Sequence, residues 1–366
     1  MASAISQAEA QLSLLINNFL GDEKQLESTF PLVIEIITLK NLLNPAPEQT
    51  ASSRTLEQNG FESIKKNFSG QSASNLLYID ANELKKYDST LQKFSSRLTS
   101  LLLSKFPRSR LAAVLLIKQS CEQSLYILFQ HAEKWIMHLI NLLSKSEILK
   151  TQEAAISALI SILDTANNYT DLQRDIVTPN VSKFNVALIS LIKTNIKIFP
   201  AVSNALVWTC TSFPGLMRTN SEKAIKACLQ FLDGSYVISN PKLVMCACEC
   251  ISSLSTVGGK NNSSERWLEN FSKTITTIDI TLNKVYQSVD TAVYEGTKSH
   301  YDMDFSFDDY IVGLPLLVDR CASLTELVVS FLTNEVKDPV MVPVEEVIHI
   351  INRLGSVNSK TKVIFT

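Results

Sequence analysis

The sequence predicts an all-α fold made of stacked, paired helices, and three observations predict it. Apolar residues recur at helical rather than strand spacing along most of the chain. Prolines and short polar residues stand where those segments open. Segment starts and their partner segments advance by a common period.

The stretch from Phe106 to Gly258 carries all three. Between Lys150 and Ala166, Ala155, Ala158, Leu159, Ile162 and Leu163 form one apolar stripe, with Thr151, Gln152, Ser157 and Ser161 between them. Alanines on that stripe let a neighbouring helix come within the usual interaxial distance of about 8–10 Å. Val181 to Thr194 repeats the pattern with Phe184, Leu188, Leu191 and Ile192, and Ala132 to Lys145 does so with Trp135, Leu139, Leu142 and Leu143. Helices open near residues 107, 150, 200 and 241, and Trp135, Phe184, Ile225 and Trp267 mark their partners. Both series advance by roughly 40–50 residues, the period of two-helix HEAT or armadillo units. Pro107, Pro200 and Pro241 suit a first helical turn, where the missing N–H has no intrahelical partner. The predicted architecture is a helical-repeat solenoid, a HEAT/armadillo-like α-α superhelix, running as a single domain over residues 1–366.

Residues 1–105 supply amino-terminal helices. Ser6 to Leu20 places Leu12, Leu15, Ile16 and Phe19 on one side and stops at Gly21-Asp22. Phe30-Pro31 opens a second helix to Leu43, which Asn44-Pro45-Ala46-Pro47 ends. A flexible loop is expected near 48–75, where Ser, Gln, Asn and Gly abound and periodicity is weak. Leu76 to Ile79 is a short turn or strand, and Asn82 to Leu103 is helical. Residues 106–290 are the central repeats, with a turn at Asp233-Gly234, a cap at Asn240, a loop from Val257 and a long helix from Glu265 to Val289. Residues 291–313 are an acidic, aromatic insertion. Residues 314–366 return to helix, from Leu314 to Leu332 and from Pro343 to Leu354. The apolar ending Val363-Ile364-Phe365 has no cap, as expected of a chain truncated before its natural end.

Composition narrows the function classes. With 45% apolar residues over 366 positions, the chain can bury a large core. A net charge of −2 gives no global field to hold a nucleic-acid backbone, so no strong direct nucleic-acid binding is expected. No apolar run reaches the roughly 18–20 residues of a membrane span. The amino-terminal residues Met1 to Gln11 are polar and alanine-rich rather than signal-like. The 7 cysteines are odd in number and lie mainly in apolar helical segments, which predicts a reducing compartment.

Motifs with chemistry are few. Cys246 and Cys250 share a helical face while Cys248 points elsewhere, and no second ligand pair stands near for zinc, so these read as small core hydrophobes. His131, His138, His300 and His349 are scattered. Gly258-Gly259-Lys260 lacks the spacing of a phosphate cradle. No catalytic residue, metal or cofactor is expected. Three Leu-x-x-Leu-Leu strings, Leu39 to Leu43, Leu98 to Leu102 and Leu139 to Leu143, can dock into an apolar groove, but their helical setting favours the core. The candidate partner-binding residues are Tyr301, Asp302, Asp304, Phe305, Phe307, Asp308 and Asp309, because aromatics among carboxylates can anchor in a basic, apolar groove. A disordered acidic insertion is the equal alternative.

An ordered set of residues adds a resemblance. Arg110-Leu-Ala-Ala-Val-Leu-Leu-Ile, Leu128-Phe-Gln-His, Trp135-x-x-x-Leu, Glu153-Ala-Ala, Tyr169-Thr-Asp-Leu-Gln-Arg-Asp-Ile, Lys226-Ala-Cys-Leu, Ala247-Cys-Glu-Cys-Ile-Ser-Ser-Leu and Trp267 occur in sequence. Together, over about Phe106 to Ser288, the chain resembles the amino-terminal domain of the Rix family of pre-ribosomal-RNA-processing proteins. The resemblance implies a scaffold without enzymatic activity, in the nucleus (nucleoplasm and nucleolus). It implies removal of internal transcribed spacer 2 and maturation of the large (60S) ribosomal subunit. The partners it implies are a WD-repeat β-propeller subunit, a second helical-repeat subunit, a midasin-type AAA ATPase and the pre-60S particle. Self-association to a dimer is also expected, through the apolar end or the helix Pro315 to Leu332. The alternative reading of the same architecture is a karyopherin-like nuclear transport or cargo adaptor.

Overall fold

The computed structural model describes residues 4–23, 26–44, 81–234, 240–258, 263–286, 300–303, 310–336 and 338–356. The described residues are overwhelmingly helical and include no strand. The helices are α1 (Ala4–Asn18), α2 (Leu26–Lys40), α3 (Ala81–Leu102), α4 (Pro107–Gln123), α5 (Leu125–Leu143), α6 (Leu149–Asn167), α7 (Thr178–Thr194), α8 (Phe199–Ser212), α9 (Ser221–Leu229), α10 (Pro241–Ser255), α11 (Ser263–Val285), α12 (Tyr310–Thr333) and α13 (Val344–Ser356). The chain forms two compact units, Met1–Ala187 and Leu188–Thr366. The expected loop near 48–75 lies outside the described residues.

In the amino-terminal unit, α4 packs on α6 and α5 fills the space beside both. The contact follows from residue size. Ala112 and Ala113 on α4 and Ala155 and Ala158 on α6 are fully buried, and small side chains permit close approach. Pro107 opens α4 after an extended Phe106, and the Ser124 hydroxyl accepts from Ile127 N at 3.4 Å to cap α5. Trp135, wholly buried on α5, reaches α3 and donates its Nε1 hydrogen to Thr99 Oγ1 at 2.9 Å. Arg110 then ties α4 to the α5–α6 connection. Its Nε donates to Glu147 Oε2 at 3.0 Å, its Nη2 bonds Glu147 Oε1, and its Nη1 donates to Ser104 O at 2.7 Å. An arginine fork on a carboxylate is a strong, geometrically specific pair.

In the carboxy-terminal unit, α10 packs between α8 and α12 and also contacts α9, while α11 lies on α12. Alternate helices therefore stack as one layer, as paired-helix repeats do. Asn240 caps α10 by accepting from Lys242 N at 3.1 Å, with Pro241 in the first turn. Trp267, Phe271 and Phe331 form a cluster with ring centroids 4.8, 5.6 and 5.7 Å apart, joining α11 to α12. Each such pair contributes roughly 0.5–1.5 kcal/mol beyond its burial. Gly234 turns the chain at φ +78°, a region glycine enters without strain, and a Cβ there would run into the Leu316 carbonyl.

Three details depart from the sequence reading. Pro31 and Pro315 do not open their helices; α2 begins at Leu26 and α12 at Tyr310, with the prolines inside. Each proline is the sixth residue of its helix, where it removes one backbone bond and crowds the carbonyl four residues earlier, and the turn before it forms despite that cost. The last residues of the 291–313 insertion are accordingly helical. Before α7 the chain runs through a short α-turn, Thr170–Leu172, and a π-helical turn, Gln173–Val177. Of the leucine strings, all but Leu39 are buried; Leu39 is 76% exposed.

Candidate functional site

Among the described residues, ionisable side chains gather at a small pocket lined by Asp279, Glu345, Glu346 and His349. No group of three or more His, Cys, Asp or Glu side chains among the described residues is arranged to hold a metal ion. All seven thiols are free, and burial pushes Cys121, Cys210, Cys248 and Cys250 upward, Cys248 to about 12. For Cys250 the bond with Cys228 is the larger cause. Cys248, on a different side of α10 from Cys246 and Cys250, is buried because α12 covers that side; its thiol lies 3.7 Å from Ser323 O. The imidazoles of His131 and His138 are held below their ordinary value, first by burial and then by Lys134. His131 stacks on Trp135 at 5.2 Å, a packing role.

The residues picked out for partner binding divide. Tyr301 is buried: its backbone N donates to Thr277 Oγ1 at 3.0 Å and its hydroxyl to Asn270 O at 3.2 Å, both on α11. Burial pushes its phenol well above the usual range. Tyr301 thus fastens this segment to the unit that carries it, with buried Met303 beside it, while Asp302 is exposed. Asp304, Phe305, Phe307, Asp308 and Asp309 lie outside the described residues.

Sequence reasoning missed the surface of α13. An amphipathic helix ordinarily turns its apolar stripe to the core. Here the inward face mixes buried Ile350 with polar contacts. Arg353, 6% exposed, bonds Asp279 Oδ1 and Asn283 Oδ1 and donates to Asp279 O at 3.3 Å, and His349 Nε2 stands 3.5 Å from Asp279 Oδ1. The outward face and the approach to it carry Met341 (80% exposed), Val344 (57%), Ile348 (50%), Ile351 (60%) and Leu354 (39%). A contiguous exposed apolar stripe of this kind marks an interaction surface. Spacing places Val344, Ile348, Ile351 and Leu354 on one side of a helix that runs from Val344 to Ser356, but does not say which way that side turns.

Comparison with known proteins gives the family. The family model described as RIX1, rRNA processing/ribosome biogenesis, matches residues 12–239, more than half of the sequence. The chain belongs to this RIX1 family. It is 24% identical over 278 residues to the proline-, glutamic acid- and leucine-rich protein 1 of Xenopus laevis, covering 74% of this chain and 26% of that protein. The Mus musculus protein of the same name is 25% identical over 237 residues, covering 63% and 20%. The chain thus spans about a quarter or less of these relatives. Among solved structures it superposes on a chain of the Rix1 subcomplex in a Rix1–Rea1 pre-60S particle, with a TM-score of 0.60 and 15% identity over 84% of this chain and 57% of that one. The fold is shared. Most of the family-like residues, among them Ala112, Ala113, Leu128, Trp135, Ala247, Cys250 and Trp267, are buried. They hold helices together rather than contact partners.

Proposed function

We propose that the chain is a non-enzymatic scaffold subunit of a Rix-type complex, acting in pre-rRNA processing at internal transcribed spacer 2 and in large (60S) subunit maturation. The observation that carries this reading is the RIX1 family match over residues 12–239. The superposed Rix1 chain comes from a Rix1–Rea1 pre-60S particle, which supports a midasin-type AAA ATPase and the pre-60S particle as partners. A WD-repeat propeller and a second helical-repeat subunit complete the complex, and the site of action is the nucleoplasm and nucleolus. No described helix is long and apolar enough to cross a membrane.

Two surfaces serve assembly in this reading. Asp302, with Asp304 to Asp309, offers carboxylates and aromatics to a basic partner groove. The apolar stripe of α13, and Val318, Val329 and Leu332 exposed on α12, serve pairing with a second copy. Tagged chain captured from nuclear extract is expected to bring a propeller subunit and pre-rRNA containing internal transcribed spacer 2. Recovery of neither overturns the assignment. Sedimentation separates the pairing claim: Ile348→Asp/Ile351→Asp is expected to shift a dimer to monomer, and a wild-type monomer at micromolar concentration removes that claim alone.

A further inference from the structure

A groove of about 460 Å³ lies in the carboxy-terminal unit, where the starts of α8 and α10 face the turn after α9. Its apolar lining comes from Ile196, Pro200, Phe231, Leu243 and Val244. Phe231 is 6% exposed, with its ring stacked on Phe199 at 3.9 Å, so the lining is rigid. Two ionisable side chains stand among the described lining residues, Lys197 and Lys242, and both are exposed lysines.

The two lysines are placed by the same device. In Asn195-Ile-Lys197 the Asn195 side chain accepts from Lys197 N at 3.1 Å; in Asn240-Pro-Lys242 the Asn240 side chain accepts from Lys242 N, also at 3.1 Å. Each asparagine caps the opening of a helical segment, the turn Ile196–Ile198 before α8 and α10 itself. Successive repeats therefore present one cation each at the same point of the repeat. Because their first helices stack, the cations share one rim. Behind the rim, Arg320 Nε donates to Asp233 O at 2.8 Å, bracing the residue before Gly234.

We propose that this groove binds an acidic linear peptide of a partner protein, with an apolar side chain in the lining and carboxylates on Lys197 and Lys242. The volume falls within the roughly 300–1,000 Å³ typical of ligand clefts, and the charge is complementary. RNA suits the groove less. A phosphate backbone needs a longer basic track, and base stacking needs an open ring face, which Phe231 does not offer. The inference goes beyond the subunit assignment and does not rest on it.

The test uses the purified full chain and a fluorescein-labelled Glu-Asp-Glu-Phe-Asp-Glu peptide, followed by anisotropy, with a labelled oligouridine run in parallel. Saturable peptide binding is expected, weakened at least tenfold by Lys197→Glu/Lys242→Glu, by Phe→Ser in the peptide, and by raising salt severalfold. Lys197→Arg/Lys242→Arg is expected to retain binding, and both double variants keep the wild-type melting profile because the lysines are exposed. Absence of saturable binding, binding indifferent to charge reversal, or tighter binding of oligouridine through the same lysines overturns the proposal.

Discussion

Breaking the Arg110–Glu147 pair is expected to cost the amino-terminal unit a large part of its stability, while removing both charges together costs little. The Glu147 side chain is 4% exposed and that of Arg110 is 16% exposed. Water therefore cannot replace a lost partner. Glu147→Ala leaves the guanidinium with one remaining bond, to Ser104 O at 2.7 Å. Truncating one partner of such a buried pair costs about 3–5 kcal/mol. For a unit spanning Met1–Ala187, at roughly 2–4 °C per kcal/mol, that lowers the melting midpoint by about 6–20 °C. Arg110→Met leaves a buried carboxylate bare and costs a similar amount. In Arg110→Met/Glu147→Met no buried charge remains, and the net loss reduces to about 1 kcal/mol for the forfeited Ser104 bond. Thermal and urea unfolding followed by far-UV circular dichroism, run as a double-mutant cycle, reads these terms. A double variant whose loss equals the sum of the singles refutes the reasoning, as do single variants that cost under about 1 kcal/mol.

Three further predictions follow from named contacts. Gly234→Ala must hold φ near +78° and place a Cβ against the Leu316 carbonyl, so the carboxy-terminal unit is expected to lose at least about 1–2 kcal/mol; an unchanged urea midpoint contradicts this. His131 is held below 6.5, so under that pH the unfolded chain takes a proton the folded chain refuses. Stability is therefore full above about pH 6.5 and lost as pH falls, and His131→Phe is expected to reduce the loss between about pH 7.5 and 5.5; an identical slope in the variant rejects it. Cys248 and Cys321, pushed up to about 12, hold roughly a thousandth of the usual thiolate fraction near pH 8, so a disulfide reagent is expected to modify half-buried Cys246 first and these two only on unfolding. One hyper-reactive native thiol contradicts that outcome.

Much of the fold was legible because its signals are local. Alanines at Ala155 and Ala158 told of close helix contact, and Pro107 and Asn240-Pro241 marked helix starts that the structure places there. The π-helical turn at Gln173–Val177 was not legible, since one extra residue in a turn leaves the apolar spacing on either side unchanged. Neither was the prior start of α2 and α12, because proline is a helix opener in most settings and an interior residue in few. The surfaces were less legible than the core. Tyr301 looked like an anchor for partners, yet Asn270 and Thr277 on α11 claim it, and no spacing in the sequence joins positions so far apart. The inward turn of Arg353 on α13 depends on Asp279, more than seventy residues earlier. The matched capping asparagines Asn195 and Asn240 were visible as letters, but their shared groove exists only once α8 and α10 stack.

The central claim is that the chain serves large-subunit assembly by holding other molecules. Its most direct test is to tag the chain, resolve cell lysate on a sucrose gradient, and probe each fraction for the tag and for internal transcribed spacer 2. The account predicts that the tag travels with large-subunit precursors bearing the spacer and that depletion of the chain makes spacer-containing RNA accumulate. A tag found only in light fractions, with spacer processing unchanged on depletion, would contradict it.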